Sequence, residues 1–315
     1  MIIGKTRSPR CAPMLAQLGA FGHLLFAGRL GLGIALCLGA LPAKSDPFAS
    51  PWSGQQGDKA QMRLIAAGRD HGIYRVAAEI KLSPAAITYW RAPGDAGVPP
   101  QFSVTDSENV ANAEVLFPAP HRIDEQGIEA FGYRGGVVFP IHVAARDAAE
   151  PVRLRLTVAY AVCDNICLPE KSSAELILPK SVDSPEDAAV AAAEARVPLA
   201  LAPKDLAEKL SVVPDKTATS PTWLLTWKGD FQPTDLFAEA PEGWVLETHR
   251  RADGLFSIVA VEQPLTPHRV PVRLTLTGLQ KAYEFMTELE IPAKSSALPV
   301  TPSKERQAGP AIGTK

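Results

Sequence analysis

Pro151-Val-Arg-Leu-Arg-Leu-Thr-Val-Ala-Tyr-Ala-Val-Cys163-Asp-Asn-Ile-Cys167-Leu-Pro169 is the segment from which the architecture follows. Apolar residues fall at every second position from Val152 to Val162, the two-residue period of a strand with one face turned inward. Asp164-Asn165-Ile166 reads as a turn, and Cys167 opens a returning strand. The segment is therefore an antiparallel hairpin with one cysteine on each side of its turn. Facing residues of such a pair lie roughly 4.5–5.5 Å apart at Cα, within the reach of a disulfide.

Working outward, Pro151-Val-Arg-Leu-Arg-Leu-Thr157 recurs as Pro271-Val-Arg-Leu-Thr-Leu-Thr277. Each copy follows an alternating run, Gly136–Val143 in one case and Leu255–Val261 in the other, and each leads into a further strand, Ser173–Leu178 or Tyr283–Ile291. Two copies of one β-unit account for this pattern. Met62–Ala67, Ile73–Leu82, Ala113–Phe117 and Thr222–Trp227 add short strands bounded by turn residues, so the fold class is all-β, built from antiparallel sandwiches. One helix is predicted over Pro185–Arg196, Ala-rich, with Ser184 as N-cap and Pro185 in the first helical position. It lies between the copies as a connector.

The first 45 residues carry Lys5, Arg7, Arg10, Arg29 and Lys44 without an acid, then the apolar run Gly31–Leu41 and small residues up to Ser45. This is the layout of a cleaved secretory signal peptide, and the run is too short to cross a bilayer, which needs about 20 apolar residues. Cys11 and Cys37 leave with it. Five of 32 basic residues and none of 34 acidic ones are removed, so the mature net charge is 27 − 34 = −7. An acidic exported chain is a poor partner for nucleic acid. The expected division is a leader over 1–45, a cysteine-bearing sandwich over 46–180, a helical linker over 181–198, a cysteine-free sandwich over 199–293 and a disordered tail over 294–315.

Cys163 and Cys167 admit three readings. As a staple the bond is weak, because closing a loop of about five residues contributes only about 2 kcal/mol on the chain-entropy model. As a metal site it lacks neighbouring histidines, since His71, His121 and His142 are scattered, and no metal or other cofactor is expected. As an exchange site the pair needs no cofactor, because a thiolate attacks a disulfide sulfur directly. There is no Gly-x-Ser-x-Gly or His-Glu-x-x-His to suggest a hydrolase.

Tyr160-Ala-Val-Cys-Asp-Asn-Ile-Cys-Leu-Pro169 resembles the cysteine hairpin of the N-terminal periplasmic domain of the thiol-disulfide interchange protein DsbD and of the related suppressor-of-copper-sensitivity group. Thr88–Gly97, Ser107-Glu-Asn109 and Phe117-Pro-Ala-Pro120 resemble that group in the same order. The resemblance covers about residues 60–180. It implies an immunoglobulin-like sandwich in the periplasm, which the repeat extends to two, and a pair that takes electrons from a membrane-embedded thiol reductant conductor. The electrons would pass to periplasmic thioredoxin-like or disulfide-isomerase-like proteins. It also implies that Cys167 forms the mixed disulfide and Cys163 resolves it. By the same analogy a cap over the pair falls at Glu129–Tyr133, with Phe131 as the lid and Tyr133 beside it, and Tyr89 is the aromatic next to the sulfurs. Ala130 stands where the family has an acid, and the spacing between the cysteines is shorter than in the best-known members. The alternative class is a non-enzymatic binding module, for copper handling or partner docking, with an inert disulfide.

Overall fold

The computed structural model describes residues 46–54, 59–95, 97–181, 183–264 and 269–291. The expected leader and tail lie outside the described residues. Strands dominate because apolar residues alternate along most segments, and turn residues break them every few residues. The first half holds β1 (Ala60–Asp70), β2 (Ile73–Leu82), β3 (Ile87–Gly94), β4 (Gln101–Ser103), β5 (Val110–Val115), β6 (His121–Glu125), β7 (Ile128–Arg134), β8 (Gly136–Ala145), β9 (Arg153–Cys163) and β10 (Cys167–Ile177). Then come α1 (Asp187–Glu194), β11 (Leu199–Ala200), α2 (Pro203–Lys209), β12 (Leu210–Pro214), β13 (Thr222–Trp227), β14 (Pro233–Glu239), β15 (Val245–Ala252), β16 (Leu255–Glu262), β17 (Arg269–Gly278) and β18 (Ala282–Glu290).

These strands form four sheets: β1-β2-β8-β5, β10-β9-β3-β7-β6 with β4 also on β9, β11-β18-β17-β14, and β12-β13-β16-β15. All pairings are antiparallel except the two-residue contact of β11 with β18. The fold is all-β and immunoglobulin-like. The β1-β2-β8-β5 order recurs as β12-β13-β16-β15, and β10-β9-β3 recurs as β18-β17-β14. The two copies of the Pro-Val-Arg-Leu motif, in β9 and β17, occupy equivalent places. Among the described residues the short β4 and the β6–β7 hairpin have no counterpart: β5 is followed by the hairpin before β8, whereas β15 leads directly into β16.

The first core is filled by alternate residues of β9, Leu154, Leu156, Val158, Tyr160 and Val162, against Val76, Ile80, Phe139 and Ile141 of the facing sheet. The second is filled from Trp223, Leu225, Phe256, Ile258, Val272, Leu274 and Leu276. The sheet pairs belong to one compact unit, and Phe237 of β14 is a member of the first core. Trp90 is fully buried there, and its ring meets Phe237 edge-on at 5.9 Å.

The helical connector is docked. Helix α1 lays Val190 into a small cluster with Ala49, Ile65, Ala67 and Ala77, and these small side chains let the Ala-rich helix approach the sheet closely. The helix begins at Asp187, two residues later than predicted, and Glu186 is its N-cap without a side-chain cap bond. Ser184 instead donates its hydroxyl to Ala66 O at 2.6 Å and accepts from Glu186 N at 3.0 Å, which ties the turn ahead of the helix to β1. Arg75 forks onto Glu194 and also reaches Asp187 at 2.9 Å. Burial pushes the Glu194 carboxyl up, but hydrogen bonds from Arg75 and His142 outweigh it and hold it below its ordinary value.

Glu194→Gln is expected to cost about 2 kcal/mol, the loss of charge-assisted hydrogen bonds in a partly buried place. A carboxyl depressed in the folded state stabilises above its unfolded pKa, and that contribution fades as pH falls through the lower folded value. Urea unfolding should therefore separate wild type and variant near neutrality, and the gap should close in strong acid.

Candidate functional site

The β9–β10 register runs without a slip from Arg153↔Ile177 to Cys163↔Cys167. That last pair is joined by a disulfide, with Cα atoms 4.0 Å apart. The two-residue period of β9 puts Tyr160 and Val162 into the core, so Ala161 and Cys163 face the opposite side of the sheet. There they meet Ile87 and Tyr89 of β3, Ile123 of β6 and Ala130 of β7. Cys163 is 1% exposed, whereas Cys167 is an exposed residue in the opening position of β10. The two sulfurs of one bond thus have opposite access to solvent.

Tyr89 lies beside the pair. Its hydroxyl oxygen is 2.9 Å from Cys163 Sγ, 3.6 Å from Cys167 Sγ and 2.8 Å from Glu125 Oε2. A hydroxyl has one proton, and a carboxylate is a stronger acceptor than a disulfide sulfur, so the proton rests on the Glu125 bond in this oxidised state. The other carboxylate oxygen, Oε1, is 3.1 Å from Cys167 Sγ. Neither disulfide sulfur carries a hydrogen, so this is a contact that becomes an S–H···O bond only on reduction. Burial first, and then the neighbouring Glu125, push the Tyr89 hydroxyl far up, so it stays a neutral donor.

Glycines let the chain close over this ring. A Cβ on Gly97 would fall 2.7 Å from Tyr89 Cδ1, so the loop after β3 lies directly on the tyrosine. A Cβ on Gly132, opposite Tyr89 in register, would fall 2.1 Å from Thr88 O. Thr88 also donates its hydroxyl to Ala161 O at 2.9 Å, fixing β3 to β9.

The cap expected at Phe131 is corrected by the strand phase. Phe131 and Tyr133 alternate with Ala130 and Gly132, and it is Ala130 that joins the cysteine-side cluster. Phe131 instead meets Phe237 edge-on at 4.9 Å. Tyr133 is buried in the core, where it donates to Pro118 O at 2.8 Å. A reading one residue out of phase puts the whole side-chain set on the wrong face.

The acid at the sulfurs is Glu125, which sequence reasoning did not single out. Its signal is Asp124-Glu-Gln-Gly127, a two-residue hairpin loop with positive φ at Gln126 (57°) and Gly127 (88°). A carboxylate from the strand end just before that turn is thereby aimed at the cysteines.

Of the other family-like motifs, Thr88–Gly97 supplies Tyr89 and its cover. Ser107 brackets Arg155 through its N–H and C=O, and Asn109 ties the start of β5 to Asp147, Glu150 and Pro151. Phe117 packs in the core with Phe102 and Phe139. Among the described histidines singled out above, His142 contacts Glu194 at 3.1 Å and His71 sits beside Asp70, away from the pair. Among the described residues, Glu125, Cys163 and Cys167 bring three potential donor atoms within 4.8 Å of one another. With the sulfurs joined there is no thiolate for a metal to bind.

An immunoglobulin-like sandwich with a solvent-facing and a buried sulfur on one hairpin has the layout of a dithiol-disulfide module. Residues 56–179 match the family described as thiol:disulfide interchange protein DsbD, N-terminal. Among solved structures, the N-terminal periplasmic domain of ScsB from Proteus mirabilis is similar over 78% of this chain and 100% of that chain, with a TM-score of 0.60 and 21% identity. That similarity spans both sheet pairs and shows the fold. The C-terminal domain of the Streptococcus agalactiae AgI/II polypeptide BspA, at 8% identity and a TM-score of 0.12, carries no argument. No curated protein sequence matches the chain.

Tyr89→Phe tests the hydroxyl. When a thiol attacks Cys167, negative charge develops on Cys163, and the Tyr89 O–H is placed to swing onto it. Its loss is expected to slow reduction of the pair by dithiothreitol about tenfold, one hydrogen bond of about 1.4 kcal/mol. Tyr133→Phe, which loses a bond remote from the sulfurs, should leave that rate unchanged.

Proposed function

We propose that this protein exchanges electrons with other thiol proteins through Cys163–Cys167. The observation that carries this reading is the split exposure of the two sulfurs, with Glu125 and Tyr89 against them. In the reduced form the Cys167 thiol passes its proton to Glu125 or to water, and its thiolate attacks one sulfur of a partner disulfide. The partner's other sulfur leaves as a thiolate, giving a mixed disulfide. Cys163 then loses its proton and attacks Cys167 Sγ, expelling the second partner thiolate. Two electrons and two protons have moved to the partner, and the Cys163–Cys167 bond has formed. No bound cofactor takes part.

The surface around Cys167 suits a protein partner. Ile166 is 67% exposed, Leu168 38%, Ile128 52% and Val98 57%. These apolar residues lie in or beside the cysteine turn, the β6–β7 turn and the loop over Tyr89, and they offer apolar surface that a partner can cover. The similarity to a periplasmic ScsB domain supports a periplasmic location. There, a membrane-embedded thiol conductor would supply the electrons, and thioredoxin-like or disulfide-isomerase-like proteins would receive them. Among the described residues no helix is long and apolar enough to cross a membrane.

Cys167→Ser should abolish exchange, and Cys163→Ser should accumulate the mixed disulfide, seen as a dithiothreitol-sensitive adduct. Equilibration of the wild type against thiol-disulfide buffers should give a potential roughly between −180 and −270 mV. A value below about −300 mV would mark an inert structural bond and turn the assignment to a non-enzymatic binding module.

A further inference from the structure

We propose that the second sandwich is a positioning element for the redox pair: Asp235, Thr248 and Phe237 hold the β6–β7 hairpin, and through it Glu125, against the sulfurs. The inference rests on the exchange reading above and assigns to the cysteine-free half a part in the same site.

The hairpin has no counterpart in the second sandwich, and it touches both the site and the second sandwich. In its sheet it lies at the edge, and among the described residues β6 is paired only to β7. Its hold on β3 is short, because β7 pairs with Ile87, Thr88 and Tyr89 and then only with Gly94, across an irregularity. A two-stranded ribbon is marginal by itself, so its position depends on what grips its other side.

That grip comes from the second sandwich. Arg122 of β6, three residues before Glu125, forks onto Asp235 with Nε at 3.1 Å and Nη2 at 2.9 Å. The same Nη2 donates to Leu236 O at 3.0 Å and to Thr248 Oγ1 at 2.9 Å. Phe131, opposite Arg122 in the hairpin register, packs edge-on against Phe237. The guanidinium lies over both rings, 5.2 Å from Phe131 and 5.4 Å from Phe237. Phe237 is 1% exposed. The far end of the hairpin is thereby clamped by a planar fork and an aromatic stack, both of which demand one geometry. Glu125 at the near end inherits that geometry.

Among the described residues, the titratable groups in contact with Cys167 Sγ are Glu125 from β6 and Tyr89 from β3, and Asp164 lies in the turn after β9. Asp124 is engaged with Gly127 N, and Glu129 pairs with Arg122. Glu125 is therefore the carboxylate through which a shift of the hairpin reaches the thiol. A carboxylate beside a thiol accepts its S–H and repels its thiolate, and both effects delay ionisation.

The test uses the Cys163→Ser chain, which leaves Cys167 as the site thiol, and measures its alkylation by iodoacetamide against pH. Glu125→Gln should move the midpoint of the profile to lower pH. Asp235→Asn should move it the same way, raising the rate at fixed pH below the midpoint by roughly threefold. In the Glu125→Gln background, Asp235→Asn should add nothing. That non-additivity separates positioning through Glu125 from general loosening. Phe237→Leu, with unfolding followed on the same sample, gives the second route and decides the matter if Asp235→Asn does not fold. An unchanged profile for the folded variants, or an equal shift with and without Glu125, would overturn the proposal. The assay contains no partner protein, so failure of the exchange reading, seen as full partner reduction by Cys167→Ser, is read separately.

Discussion

The in-register pairing of β9 with β10 is the constraint on which the site depends. It ends with Cys163 opposite Cys167, and the two-residue period of β9 leaves Cys163 on the face away from the main core. Tyr160 and Val162 fill that core, so a slip of one residue would exchange the inward set for the outward one and lose both core and site. Burial of five alternate apolar residues of β9 fixes the phase, and the position of the sulfurs follows from it.

Once Cys163 is turned outward, it needs a covering that the β9–β10 hairpin itself does not provide. Tyr89 and the loop bearing Gly97 supply part of it, and the β6–β7 hairpin supplies Glu125. Burial of the Tyr89 hydroxyl is satisfied only because the carboxylate accepts from it, and a buried hydroxyl without a partner is costly. Tyrosine, glutamate and disulfide thus form one polar cluster in an otherwise apolar pocket of Ile87, Ile123, Ala130 and Ala161. Its members are satisfied by one another, which is how a small buried polar site remains compatible with a stable fold.

The contact between the sandwiches has a similar logic. Phe237 enters the first core with the Arg122 guanidinium over its ring, Arg122 pairs with Asp235, and Arg91 pairs with Glu239 and Glu284. Burial pulls both guanidinium groups down, but the carboxylates facing them outweigh it and keep both above the ordinary value. These charges remain paired, so the interface is polar around an aromatic centre. The Arg91 pairings join β3, which carries Tyr89, to β14 and β18 of the second sandwich, and those of Arg122 join β6, which carries Glu125. Both sides of the polar cluster are thereby tied to the half that has no cysteine.

By itself the sequence determined what local chemistry can specify. The alternation over Val152–Val162, the Asp-Asn turn and the two copies of Pro-Val-Arg-Leu define strands, a cysteine hairpin and a repeated β-unit, because strand period and turn preference act over a few residues. The face shown by β7 was not legible, since Phe131 and Tyr133 are as apolar as any lid, and only packing against Phe237 and Phe139 sets their phase. The helix start was misplaced because Ser184 spends its hydroxyl on Ala66 O, a partner over a hundred positions away. Glu125 was hidden for the same reason: its role comes from meeting Tyr89 and Cys167 across three strands. Tertiary structure alone decided these points, because each depends on groups distant in sequence whose proximity exists only after the sheets have closed.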